Sequence, residues 1–122
     1  MRPWILLSAV LLIACQSTTP PMPPADHEYS TRGVIERLAG RDDDRIMILH
    51  ETIPDFVGID GEAAPLHAMV MPFALAPGVS LGGAGVGAKL SFTFEVRWSG
   101  GEPLLITKLK QLPADTNLEV GD

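Results

Sequence analysis

Leu90-Ser91-Phe92-Thr93-Phe94-Glu95-Val96-Arg97-Trp98 decides the fold. Leu90, Phe92, Phe94, Val96 and Trp98 share one parity, with Ser, Thr, Glu and Arg between them. Successive side chains of a strand point to opposite faces, so this alternation predicts a half-buried β-strand with an apolar inner face. Trp98 is read with Phe92 and Phe94 as barrel packing. On either side, short apolar runs bounded by turn signals predict four more strands: Tyr29–Leu38, Arg45–Ile53, Met69–Leu75 and Leu104–Leu112. The links carry turn chemistry. Ala39-Gly40-Arg41-Asp42-Asp43-Asp44 reads as a solvated turn without the spaced oxygens of a calcium loop. Ser99-Gly100-Gly101-Glu102 is a second turn. Pro77 to Lys89, with five glycines, is a loose loop or one short helical turn. Five strands in a region of this size make a marginal open sheet, and closure removes the exposed edges. The expected fold is therefore all-β, a small five-stranded OB-type β-barrel over 29–113.

The chemistry sits between His50 and Leu75. Met69-Val70-Met71 on an extended segment projects two thioethers from one face, with Val70 on the other. Thioether sulfur is a soft donor that suits Cu(I) and, by the same softness, Ag(I). The imidazole of His50, at the end of a neighbouring strand, adds a borderline donor. One nitrogen and two sulfurs form a neutral set suited to a monovalent d¹⁰ ion. They are a poor cage for Ca²⁺ or Mg²⁺ and lack the thiolates of strong structural Zn²⁺ sites. Methionine is also common core filler, so on their own Met69 and Met71 could pack the barrel. Met47 is opposite in parity to His50 and reads as core, and His27 as solvated. His50 binds metal only when deprotonated, so affinity is expected to fall as pH drops through its titration.

The ordered set Gly33-Val34-Ile35, His50-Glu51-x-Ile53-Pro54 and Met69-x-Met71-Pro72-Phe73, before a closing strand, resembles the periplasmic CusF-like copper-binding family over Tyr29 to Pro113. The resemblance implies an OB-type barrel that binds Cu(I) or Ag(I) and hands it to an efflux or delivery partner. It places His50, Met69 and Met71 on the family's His-Met-Met ligands. Two features depart from the pattern. Where many members carry a Trp three positions before the first Met, capping the metal through a cation–π contact, this chain has Leu66; Phe56 is a candidate substitute ring that no sequence feature places there. An insertion, Val57 to His67, also lengthens the loop before Met69. It brings His67 into the parity of Met69 and Met71, either as a fourth ligand replacing the aromatic cap or as a solvated loop histidine.

The remainder of the chain reads as delivery and attachment. Met1-Arg2-Pro3 is a short positive n-region, and Trp4–Leu12 is an apolar run interrupted only by Ser8. The run falls short of the roughly 20 residues of a membrane span and has the grammar of a secretory signal. Leu12-Ile13-Ala14-Cys15 looks like the bacterial lipoprotein cleavage site, which makes 1–14 the signal peptide and Cys15 the lipidated first mature residue. Gln16, with no Asp after the Cys, resembles an outer-membrane sorting cue. The alternative is a secretory signal cut elsewhere, with Cys15 discarded. Residues 15–28 are a Pro-rich tether favouring polyproline II, with Met22 incidental. Residues 114–122 are a frayed, acidic tail.

Composition excludes other classes. One Cys rules out an intramolecular disulfide framework and a Cys-cluster metal site. A net charge of −6 argues against a nucleic-acid partner. No G-x-S-x-G nucleophile motif is present, Gly82-Gly83-Ala84-Gly85-Val86-Gly87 opens no βαβ unit, and a His₂Cys copper site lacks its Cys. The expected function is that of a non-catalytic cell-envelope lipoprotein, a Cu(I)/Ag(I) metallochaperone or buffer in the periplasm, held by its lipid at the outer membrane. The alternative is a metal-free OB-like lipoprotein that binds a protein or glycan.

Overall fold

A computed structural model of the chain describes residues 24–40, 44–99 and 101–120. The signal segment, Cys15, Gln16, Met22, most of the tether and Asp42-Asp43 of the acidic turn lie outside the described residues. Among these residues seven strands follow in order: β1 His27–Arg37, β2 Ile46–His50, β3 Ile53–Val57, β4 Ala63–Leu66, β5 Met69–Leu75, β6 Lys89–Val96 and β7 Leu104–Gln111. Among the described residues there is no helix.

Five of these strands close into a barrel in the order β1-β2-β5-β7-β6, with β6 returning to β1. Neighbours run antiparallel except β5 and β7, which meet in a parallel seam at Ala74↔Leu105 and Leu75↔Ile106. Counting barrel strands alone, this is the 1-2-3-5-4 closure of an OB barrel. The alternation of β6 carries through as expected: Leu90, Phe92, Phe94 and Val96 are all buried. They meet Ile35, Ile46, Ile48, Phe73 and Ile106 in the core. Phe73 lies edge-on to Phe92 and Phe94, with ring centroids 5.2 and 5.1 Å apart. Edge-to-face contacts at that separation suit aromatic quadrupoles. Trp98 packs against this core as read.

Two expectations about the chain around the site are corrected. The strand predicted for Arg45–Ile53 ends at His50, and Ile53 opens β3. The stretch read as a long loop is a two-stranded hairpin, β3-β4, outside the barrel ladder. Its turn is closed by Gly61 N–H to Gly58 O (2.9 Å) and Glu62 N–H to Asp60 Oδ1 (3.0 Å). Gly61 has φ +80°, a conformation that favours glycine. The hairpin earns its place by burying Ile53 and Phe56. Phe56 packs against Tyr29 in a tilted pair at 5.1 Å and meets Trp98 edge-on at 6.2 Å. The Val57 amide donates to the Tyr29 hydroxyl at 2.8 Å. Tyr29→Phe orphans that amide and is expected to cost about 1 kcal/mol. A thermal melt should then show a midpoint about 4–8 °C lower.

The glycine-rich segment before β6 is a run of turns with no helical turn. It is tied to β1 by Gly87 N–H to Ile35 O (2.8 Å) and Ile35 N–H to Ala88 O (3.0 Å). Residues 114–120, read as frayed, touch the barrel at three points. Lys89 Nζ donates to the carbonyls of Ala114 (2.7 Å) and Thr116 (2.6 Å), and the Glu119 amide reaches Glu51.

Candidate metal centre

The β2–β5 register sets the site. Ile46 faces Phe73, Ile48 faces Met71 and His50 faces Met69. All six share the inward parity, so β5 presents Phe73, Met71 and Met69 as one row. Exposure rises along it: Phe73 is buried, Met71 half-buried and Met69 46% exposed. The row thus runs from the core to solvent, and a thioether pair sits at its open end. Val70, of opposite parity, is itself 41% exposed. Met47 pairs with Pro72 on the other parity, away from this row.

His50 is fully buried. Its Nδ1 lies 2.7 Å from the carbonyl oxygen of Glu51, and its Nε2 lies 3.1 Å from Met71 Sδ. A peptide carbonyl only accepts, so Nδ1 carries the proton and donates. In the neutral ring this leaves Nε2 with a bare lone pair aimed at a thioether, which also has only lone pairs to offer. In that form two soft-to-borderline donors are brought together at 3.1 Å. That arrangement suits a cation that binds both. Met69 stands directly across from His50 on the neighbouring strand. Directly opposed residues have Cβ atoms about 4.5–5.5 Å apart, within reach of a flexible thioether. The donor set therefore fits a soft monovalent ion as cargo. Among the described residues no three His, Cys, Asp or Glu side chains converge.

Other candidates fall elsewhere. His67 is exposed in the link between β4 and β5 and has no polar partner among the described residues. Phe56 is committed to Tyr29 and Trp98. Leu66 pairs with Ile53 and packs against the core. The aromatic ring beside the imidazole is Phe73, edge-on at 6.5 Å.

Sequence reasoning missed the support behind His50. Arg32 forks onto Glu51, with Nε to Oε1 at 2.9 Å and Nη2 to Oε2 at 2.7 Å. The hydrogen bond and charge of Arg32 hold the Glu51 carboxyl below the usual carboxylate range, and the Arg32 guanidinium is raised in turn. The Glu119 amide adds a third donor to the carboxylate, reaching Oε2 at 2.8 Å. Glu51's own amide donates to Arg32 O at 2.9 Å.

No family model and no curated protein matches the chain. One solved structure that does is apo-CusF, residues 6–88, from Escherichia coli. It is 20% identical, with 83% of this chain and 100% of that chain covered and a TM-score of 0.49. A likeness that distant carries no function across.

Proposed function

We propose that the chain is a cell-envelope lipoprotein that binds Cu(I) or Ag(I) through His50, Met69 and Met71 and buffers the ion or passes it to an efflux or delivery protein. The observation that carries the reading is the 3.1 Å approach of His50 Nε2 to Met71 Sδ, with Nδ1 already committed to a carbonyl. A barrel that used its methionines only as filler would have no need to aim a buried imidazole lone pair at one of them. The partial exposure of Met69 supports exchange, because a cargo ion must enter and leave. No group in the site is arranged as a nucleophile with a base, so the reading is of a carrier and not a catalyst. The lipobox reading of Leu12-Ile13-Ala14-Cys15 supplies the anchor. Several acyl chains, at about 0.8 kcal/mol per buried CH₂, hold a small domain firmly at a membrane.

The test is an anaerobic Cu(I) titration against a competing chelator, on the full-length chain in detergent with Cys15→Ser so that no thiol competes. One equivalent bound, with Ag(I) displacing Cu(I) and Zn²⁺ failing to, is the expected result. A chain that leaves all the copper on the chelator ends the proposal.

A further inference from the structure

Glu51 is held more tightly than a residue at a strand end requires. Its carboxylate receives three donors, two from Arg32 and one from the Glu119 amide, and its own amide is bonded to Arg32 O. One polar group of the residue is left to point elsewhere, its carbonyl oxygen, and that oxygen takes the His50 Nδ1 proton at 2.7 Å. With the ring fully buried, no water can replace this acceptor if the peptide turns.

We propose that Arg32 and Glu51 are positioning residues for the metal ligand: by fixing the Glu51 peptide they lock His50 in the Nδ1–H tautomer, with Nε2 facing the Met71 thioether. The inference rests on the His/Met reading for its purpose, but the orienting action itself does not need a metal. Arg32 and Glu51 face each other because Gly33 pairs with His50 across β1 and β2. The ring nitrogen that binds is set by the bond the other nitrogen makes, and partners of this kind typically change metal affinity about 10–100-fold when removed. The pair is half-exposed on the Arg side, and such pairs contribute little to stability. Its effect should therefore appear at the imidazole before it appears in the melt.

The experiment reads the tautomer directly. Long-range ¹H–¹⁵N spectra of the metal-free full-length chain in detergent, with Cys15→Ser, are recorded for the parent, Arg32→Ala, Glu51→Ala and the double variant. The parent is expected to show His50 as a single Nδ1–H tautomer. Each single variant should show mixed tautomers and bind Cu(I) about 10–100-fold more weakly. The double variant should be no worse than the weaker single, because the two residues act as one unit. If a truncated side chain unfolds the protein, Arg32→Lys keeps the charge but loses the fork, and it should still mix the tautomers. A His50 that stays a single tautomer in the folded variants overturns the proposal, even if the melting point falls. Tautomer mixing in a chain whose parent binds no Cu(I) instead removes the metal reading and leaves the orienting role standing.

Discussion

Met69→Ala combined with Met71→Ala is expected to leave the barrel folded and, on the proposed His/Met reading, to remove Cu(I) binding. The two side chains occupy the open end of the inward row on β5, where Met69 is 46% exposed and Met71 half-buried, so neither is a keystone of the core. In the proposed site, truncating them would take two of three donors from the ion and leave an imidazole alone, too little to hold a soft cation against a chelator. The expected loss is on the order of a thousandfold or more, which is about 4 kcal/mol at 1.4 kcal/mol per tenfold. Met47→Ala is the control. Met47 lies on the other parity of β2, opposite Pro72, and its removal should leave the affinity unchanged. His67→Ala should change affinity less than about tenfold, because His67 stands exposed on the link before β5. The readout is the same anaerobic competition titration, with circular dichroism showing that each variant is folded. Retained binding in the double methionine variant would move the donors elsewhere in the chain.

The barrel was legible because its signal is local. Leu90 to Trp98 alternates strictly, and burial of Leu90, Phe92, Phe94 and Val96 follows that alternation residue by residue. That Met69 and Met71 share one face was legible for the same reason, since two residues apart on a strand share parity. The hairpin was not legible, because its pattern breaks period two. Ile53 and Phe56, its buried residues, are three apart across a register shift, and Pro54, Asp55 and Pro65 dilute the apolar content around them. Gly58-Ile59-Asp60-Gly61 was the signal that could have found the turn. Phe56 looked free to cap a metal only because its partners, Tyr29 and Trp98, are distant in sequence. The support of His50 was hidden more deeply. Arg32 and Glu51 become neighbours only once the β1–β2 register is known, and the Glu119 amide joins them from a segment whose composition suggested fraying.

That register turns on Gly33, and Gly33→Ala should cost more than its one added methyl suggests. A Cβ at this position would lie 2.6 Å from Leu49 O, 2.6 Å from Ile48 Cγ2 and 3.1 Å from His50 Cα. The Ile48 methyl belongs to a fully buried side chain, and the oxygen belongs to the backbone, so neither gives way cheaply. β1 must therefore draw away from β2 at the point where Gly33 pairs with His50. Overpacking of this kind costs about 2–3 kcal/mol. In a domain this small that lowers the thermal midpoint on the order of 10–20 °C. The strain also reaches the site. Opening the ladder there pulls the Arg32 carbonyl from the Glu51 amide and shifts the backbone that carries the imidazole. Copper affinity should therefore fall together with stability, whereas the Arg32 and Glu51 variants lose affinity with little change in the melt. Gly85→Ala is the matched comparison. Its added Cβ meets nothing within 4 Å, and the change should stay within about 0.5 kcal/mol of the parent. A Gly33→Ala chain that melts with the parent and binds copper as tightly would mean that the two strands do not approach each other at His50 as closely as this register requires. The buried imidazole would then lack the backbone contact that holds it against the sulfur.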